Sequence, residues 1–215
     1  LFFDKLLDHI KAKNTESDSY SVISYHTKTA VLYDLCMDSR ILDMLEDLIG
    51  KNFVVWSTHY FCKEPHDKHK VPWHQDASYW PFDRSKSVTV WLAIDDADEE
   101  NAAMKFIPGT HKMGHLKWKE TNEPAILIQE ITNAEKLGEP VYNTLKAGEM
   151  SLHADMLAHG SSPNLSDRRR CGLTIRYCPV EVRGLTDWHK NAIICRGSDP
   201  SGHWISHPRP SEGNL

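Results

Sequence analysis

Val71-Pro72-Trp73-His74-Gln75-Asp76 and, far downstream, His159-Gly160-Ser161-Ser162-Pro163-Asn164 decide the reading of this chain. On a strand, residues i and i+2 point to the same face. His74 and Asp76 therefore present an imidazole and a carboxylate to one side, while Gln75 faces away. Proline at 72 starts such a strand without interrupting it. A His-x-Asp pair joined by one distant histidine is the ligand set of a facial-triad non-haem iron(II) centre. Three protein donors occupy one triangular face of an octahedron, and the opposite face stays open for co-substrate and dioxygen.

The distal segment carries its own parity. His159 and Ser161 share a strand face. After the Pro163-Asn164 turn, Arg168 and Arg170 share a face, and Arg169 points the other way. Gly172 and Thr174 continue the Arg170 face, while Cys171, Leu173 and Ile175 form an apolar one. An arginine buried beside small neighbours leaves room for a ligand carboxylate, and Ser161 can donate a further hydrogen bond. Such a charge-assisted contact is worth about 1.5–3 kcal/mol. Arg168 and Arg169 fit a solvated turn.

His-x-Asp alone is weak evidence in a chain with 13 histidines, and His153-Ala154-Asp155 is a second copy. The first copy ranks higher. It follows Val71-Pro72, and it sits among Trp73, Tyr79, Trp80 and Phe82. The second lies so close before His159 that it offers little independent scaffold.

The rest of the chain supplies the frame. At 215 residues, one domain spanning 1–215 is expected. The chain starts without an initiator Met, as a domain lacking its native N-terminus would. Residues 1–13 place Phe3, Leu6, Leu7 and Ile10 on one helical face. Residues 39–49 do the same with Ile41, Leu42, Leu45, Leu48 and Ile49, capped by Asp38 or Ser39 and ended by Gly50. Beyond Gly50, short β-rich runs follow at Phe53–Phe61, Val88–Ile94, Met104–Ile107, Ile126–Ile131, Met150–Leu152, Leu173–Tyr177 and Ile193–Cys195. Many short strands in one domain read as a sandwich or barrel with the helices packed outside. The polar stretch from Lys112 to Pro140 has the character of a lid.

Composition narrows the function classes. A net charge of −5 with no basic stripe argues against a nucleic-acid partner. No run approaches the ~20 apolar residues of a membrane span, and no signal peptide is legible. Five cysteines without C-x-x-C spacing argue for reduced thiols, and hence a cytoplasmic setting, over a disulfide framework or a structural zinc.

These residues resemble the phytanoyl-CoA dioxygenase family of iron(II)/2-oxoglutarate oxygenases, from about Val54 to Pro179. The marks are Val71-Pro72-Trp73-His74-Gln75-Asp76, Val88-Thr89-Val90-Trp91-Leu92-Ala93-Ile94-Asp95-Asp96, Asn101, Ile107-Pro108-Gly109-Thr110-His111-Lys112, the His159 segment, and Arg170 eleven residues after His159. The resemblance implies a mainly β fold with flanking helices, a double-stranded β-helix or cupin-like jelly roll. It implies His74, Asp76 and His159 as ligands of iron(II), and Arg170 with Ser161 on the distal carboxylate of 2-oxoglutarate. Trp91 lines the same pocket. The implied reaction hydroxylates a small organic substrate with dioxygen and releases succinate and CO2. Ala102 departs from the glycine usual after the asparagine, a change that touches a turn and not the metal.

Other readings have distinct signatures. A halogenase needs a small residue in place of Asp76. A cupin-type isomerase or hydrolase on zinc or manganese needs no Arg170. A non-catalytic small-molecule binder needs no intact triad. The absence of a basic cluster for CoA phosphates disfavours an acyl-CoA substrate. Tyr79, Trp80, Phe82 and Trp204 can flank a small apolar molecule, or equally serve the core. Oligomeric state is not legible.

Overall fold

In a computed structural model that describes residues 2–211, two helices stand where the periodicity puts them. α1 is Phe2–Lys13 and buries Phe3, Leu6, Leu7 and Ile10; Leu1 lies outside the described residues. A shorter α2, Ala30–Cys36, has too few turns to show a periodic stripe in sequence. α3 is Ser39–Ile49, and Asp38 caps it by accepting from the Arg40 N–H. Gly50 ends it at φ 85°, a left-handed value that only glycine adopts without strain. The structure departs from the expected stripe in the last turn, because α3 buries Ile41, Leu42 and Leu45 but leaves Leu48 62% exposed.

The strands are β1 Phe53–Lys63, β2 Val71–His74, β3 Val88–Ala93, β4 Lys105–Phe106, β5 Trp118–Glu120, β6 Gln129–Ile131, β7 Val141–Tyr142, β8 Met150–Ala154, β9 His159–Ser161, β10 Arg170–Pro179 and β11 Ile193–Arg196. They form a five-stranded sheet in the order β11-β1-β10-β3-β8, a four-stranded sheet β2-β9-β4-β7, and the pair β5-β6. The pairings β1–β11, β2–β9, β4–β9, β4–β7 and β5–β6 are antiparallel. Expected strands are recovered with ends shifted by a few residues. β10 is the largest change, beginning at Arg170 and buried along its whole length.

The chain divides into two compact units. One comprises the residues up to Phe61, Pro81–Val90 and those from Leu173 on; the other comprises Cys62–Trp80 and Trp91–Gly172. In the first, the Phe3 ring lies 4.7 Å from Tyr60, and the Tyr177 hydroxyl donates to the Cys36 carbonyl at 3.0 Å. The second holds two apolar clusters. Trp91, Ala93, Ala97, Ala103 and Met104 form one; Ile107, Ile131, Ala134 and Ala158 form the other, with Trp73 packed against it. The stretch from Lys112 to Pro140, expected to be a lid, contributes the β5-β6 pair and buries Ile131 and Ala134 in this second cluster.

No disulfide joins any of the five cysteines, all of which are buried. Among the described residues, no helix is long and apolar enough to cross a membrane.

Candidate metal centre

The register of the four-stranded sheet builds the site. In the β2–β9 pairing Val71 stands opposite Ser161 and His74 opposite His159; β4 flanks the other side, with Phe106 opposite His159 and Lys105 opposite Gly160. A Cβ on Gly160 would lie 2.8 Å from the Val71 carbonyl oxygen and 3.1 Å from that of Pro72. Those are backbone atoms with little freedom to yield, so glycine permits the strand approach that sets the two histidines side by side. Their rings are 4.1 Å apart.

Asp76 is reached differently from the expectation of one continuous strand. β2 ends at His74, Gln75 remains extended at φ −109° and ψ 129°, and Asp76 opens a short 3-10 turn. The single extended residue preserves the parity. Gln75 does face away, and its side chain is fully used. Its amide donates to the Gly114 and Met156 carbonyls, and its oxygen accepts from the Leu116 N–H.

His74, Asp76 and His159 are all buried, and one donor atom from each lies within 4.8 Å of the others. Each histidine is held in one tautomer by its own strand. The His74 Nδ1–H donates to the Pro72 carbonyl and the His159 Nδ1–H to that of Leu157, both at 2.8 Å. Both Nε2 lone pairs are thereby free to point at Asp76 Oδ1, which lies 3.7 Å from one and 3.9 Å from the other. Burial, with the His74 ring beside it, pushes His159 well below the ordinary histidine range. It is therefore neutral, as a metal ligand must be. Metal bonds to nitrogen and oxygen run about 2.0–2.2 Å, so one ion bridges donors about 3–4.4 Å apart. Two imidazole nitrogens and one carboxylate oxygen at this spacing fit a divalent ion of the iron(II) kind.

Arg170, Ser161 and Trp91 form a second group in the same unit. Arg170 is 2% exposed. Its Nη2 donates to Ser161 Oγ at 3.2 Å, its Nε to the Ala102 carbonyl at 3.2 Å, and its guanidinium carbon lies 5.7 Å from the Trp91 ring centre. Ala102 lies at φ 63°, and its carbonyl orients Arg170. Ala102 lies in a turn, as expected, and it is its backbone carbonyl, not its side chain, that meets the arginine. Ser161 follows His159 by two residues on β9, so this strand links the Arg170 group to the three converging donors.

Lys63 adds a buried cation that the sequence reading missed. Its Nζ donates to the His69 and Ser162 carbonyls at 2.5 and 2.7 Å. Burial, and then the nearby Arg170 charge, pushes its ammonium down to about 7. Two cationic side chains buried near each other suit an anionic ligand. The other arginines are spent elsewhere. Arg168 is paired with Asp98 and Glu100 at the surface. Arg169 forms a partly buried pair with Asp95, so a solvated turn does not describe it.

Of the aromatic residues considered for substrate, Tyr79 lies edge-on to His74 at 5.9 Å; Phe106, which the sequence did not single out, lies 6.3 Å from His159. Trp80 is buried. Phe82 and Trp204 belong to the first unit, where they pack with Trp56 and Trp188, and the Trp204 indole donates to the Val180 and Val182 carbonyls. They serve that unit's core. His153, ranked second in sequence, sits on β8 with its ring 4.7 Å from that of His159. Proximity in sequence did not place the two on one scaffold, because β8 and β9 belong to different sheets.

Gly172 fixes the wall behind Arg170. A Cβ there would stand 2.0 Å from Trp91 Cζ2. Trp91 is 1% exposed. Gly172→Ala is expected to destabilise the protein by about 1–3 kcal/mol through overpacking. Thermal unfolding of Gly172→Ala alone and with Trp91→Phe checks this: the smaller ring should recover part of the loss.

The profile of the phytanoyl-CoA dioxygenase (PhyH) family matches residues 5–172. A probable alpha-ketoglutarate-dependent hypophosphite dioxygenase of Stutzerimonas stutzeri is 28% identical over 165 residues, covering 69% of this chain and 53% of that protein. The peroxisomal phytanoyl-CoA dioxygenase of Bos taurus is 26% identical over 193 residues, covering 86% and 51%. The chain thus spans about half the length of these relatives. Among solved structures, an apo non-heme monooxygenase, ThoJ, superposes with a TM-score of 0.81 at 27% identity, over 97% of this chain and 78% of that one. The fold is the jelly roll of these non-haem oxygenases, mainly β with antiparallel sheets, as the family resemblance implied.

Proposed function

We propose, from the premise that this chain belongs to the phytanoyl-CoA dioxygenase family, that it is an iron(II)- and 2-oxoglutarate-dependent dioxygenase hydroxylating a small organic substrate. The observation that carries this reading is the convergence of two tautomer-locked Nε2 atoms on one oxygen of Asp76, with Arg170 hydrogen-bonded to Ser161, two residues after His159 on β9. His74, Asp76 and His159 would hold iron(II). Arg170, with Ser161, would take the distal carboxylate of 2-oxoglutarate, and Trp91 would wall that pocket. When bound, iron(II) and 2-oxoglutarate supply the oxidising chemistry, consuming dioxygen and giving succinate and CO2.

The chain's own residues do the rest. The carbonyls of Pro72 and Leu157 hold both imidazoles in one orientation, each with Nε2 aimed at the centre. Burial of all three donors excludes bulk water from the protein side of the centre. Tyr79 and Phe106 give the neighbourhood apolar faces, which suits an organic substrate. Asp76 would supply the third protein ligand, leaving no position for a halide alongside 2-oxoglutarate and dioxygen.

The test is a succinate-release screen of small metabolites against iron-loaded protein. Products from any hit are then analysed by mass spectrometry under labelled dioxygen with excess chloride. One succinate per coupled turnover, and a product carrying one labelled oxygen, are expected. A chlorinated main product would refute hydroxylation. No succinate from any compound, with iron and 2-oxoglutarate binding intact, would favour a binding module.

A further inference from the structure

The two carboxylate oxygens of Asp76 face different histidines. Its Oδ1 faces His74 Nε2 and His159 Nε2, whereas the closest approach to its Oδ2 from His153 is that of Nε2, at 3.9 Å. The His153 side chain is 2% exposed, and its ring is tilted against those of His159, 4.7 Å away, and Phe106, 5.2 Å away. It comes from β8, a strand that carries none of the three donors. His153 is not within the group whose donor atoms all lie within 4.8 Å of one another.

We infer that His153 is a positioning residue for Asp76: its Nε2–H donates to Oδ2 and so commits the carboxylate to binding metal through Oδ1 alone. The inference rests on the proposed ligand set. The chemistry leaves little choice of direction. An ionised carboxylate only accepts hydrogen bonds, so any bond between these groups runs from an N–H of His153. A carboxylate bound to an ion through one oxygen keeps a second oxygen that is costly to bury without a donor. Asp76 is buried, and His153 stands at that second oxygen. Drawing Oδ1 toward an ion turns the carboxylate as a unit, and a ring 3.9 Å away is placed to close the contact. Fixing one oxygen also prevents bidentate binding, which would occupy a position needed for co-substrate or dioxygen. Partners of this kind typically contribute ten- to hundredfold to metal affinity.

The experiment is an anaerobic titration of the purified chain with cobalt(II), read by its visible absorption, and with iron(II), read by bound stoichiometry. His153→Gln, which keeps a donor, is compared with His153→Phe, which keeps bulk without one. The metal-free melting temperature of each variant is measured alongside. The expected result for His153→Phe is a stoichiometric site weakened about ten- to hundredfold, with an altered cobalt spectrum. His153→Gln should recover most of the affinity. Equal affinity and spectrum in the unmodified chain and His153→Phe would overturn the inference. So would loss of the site in both variants with metal-free melting unchanged, which would make His153 a ligand. If the unmodified chain itself binds no metal stoichiometrically, it is the proposed ligand set that fails, and the two failures are thereby distinguished.

Discussion

His74→Ala should bind iron(II) more than about a hundredfold more weakly than the unmodified chain, beyond the ten- to hundredfold typical of losing a residue that merely supports a ligand. The reason is geometric. Among the described residues, three side-chain donors converge on the proposed centre, and deleting one leaves an incomplete face. His74 also stands directly across from His159, its ring 4.1 Å away. Alanine therefore leaves a void next to the remaining imidazole and supplies no substitute donor. The measurement is iron stoichiometry and affinity under anaerobic conditions, with His153→Ala as the internal comparison. The two His-x-Asp pairs are then ranked by experiment: if His153→Ala abolishes binding while His74→Ala retains it, the wrong pair has been assigned.

Arg170→Ala should weaken 2-oxoglutarate binding by about tenfold or more, since a charge-assisted contact to a carboxylate contributes about 1.5–3 kcal/mol. The guanidinium is 2% exposed and is held by Ser161 and Ala102 with Trp91 alongside, so its orientation is prepared before any ligand arrives. Arg169→Ala is the control. Its guanidinium is turned to Asp95, away from Arg170, and removing it should cost an ion pair and little affinity. Titration of 2-oxoglutarate into anaerobic iron-loaded protein, followed by charge-transfer absorbance, reads both variants. A larger loss in Arg169→Ala would overturn the assignment of the β10 register.

The sequence carried the local rules. Period-3.6 stripes in residues 1–13 and 39–49 give α1 and α3, because a helix buries one face wherever it packs. Strand parity puts Gln75 opposite His74 and separates Arg169 from Arg170, because alternation holds in any strand regardless of what it pairs with. Even the break in β2 after His74 leaves that reading intact, since one extended residue is enough to keep the alternation.

Other features depend on partners distant in the chain. Leu48 belongs to the apolar stripe of α3 yet is exposed, since periodicity says which face is apolar and not how far the packing extends along it. The small β5 and β7 strands are exposed and polar or mixed in sequence, and only their pairing identifies them. Lys63 sits in a run of strand residues with no charge pattern to mark it; its role appears only when His69, Ser162 and Arg170 are brought around it. Phe82 and Trp204 could line a pocket or fill a core as far as composition goes, and the rings packed on them decide for the core.

His153 shows the division most clearly. By itself the sequence determined the donor types, their parity and the arginine that follows, because these are properties of residues one or two positions apart. Only the tertiary structure decided that His74 stands across from His159, that Oδ2 of Asp76 faces His153, and that Arg170 meets Trp91. Those contacts join different strands, and strand pairing and register are set by packing and backbone hydrogen bonding across the sheet, not by order along the chain.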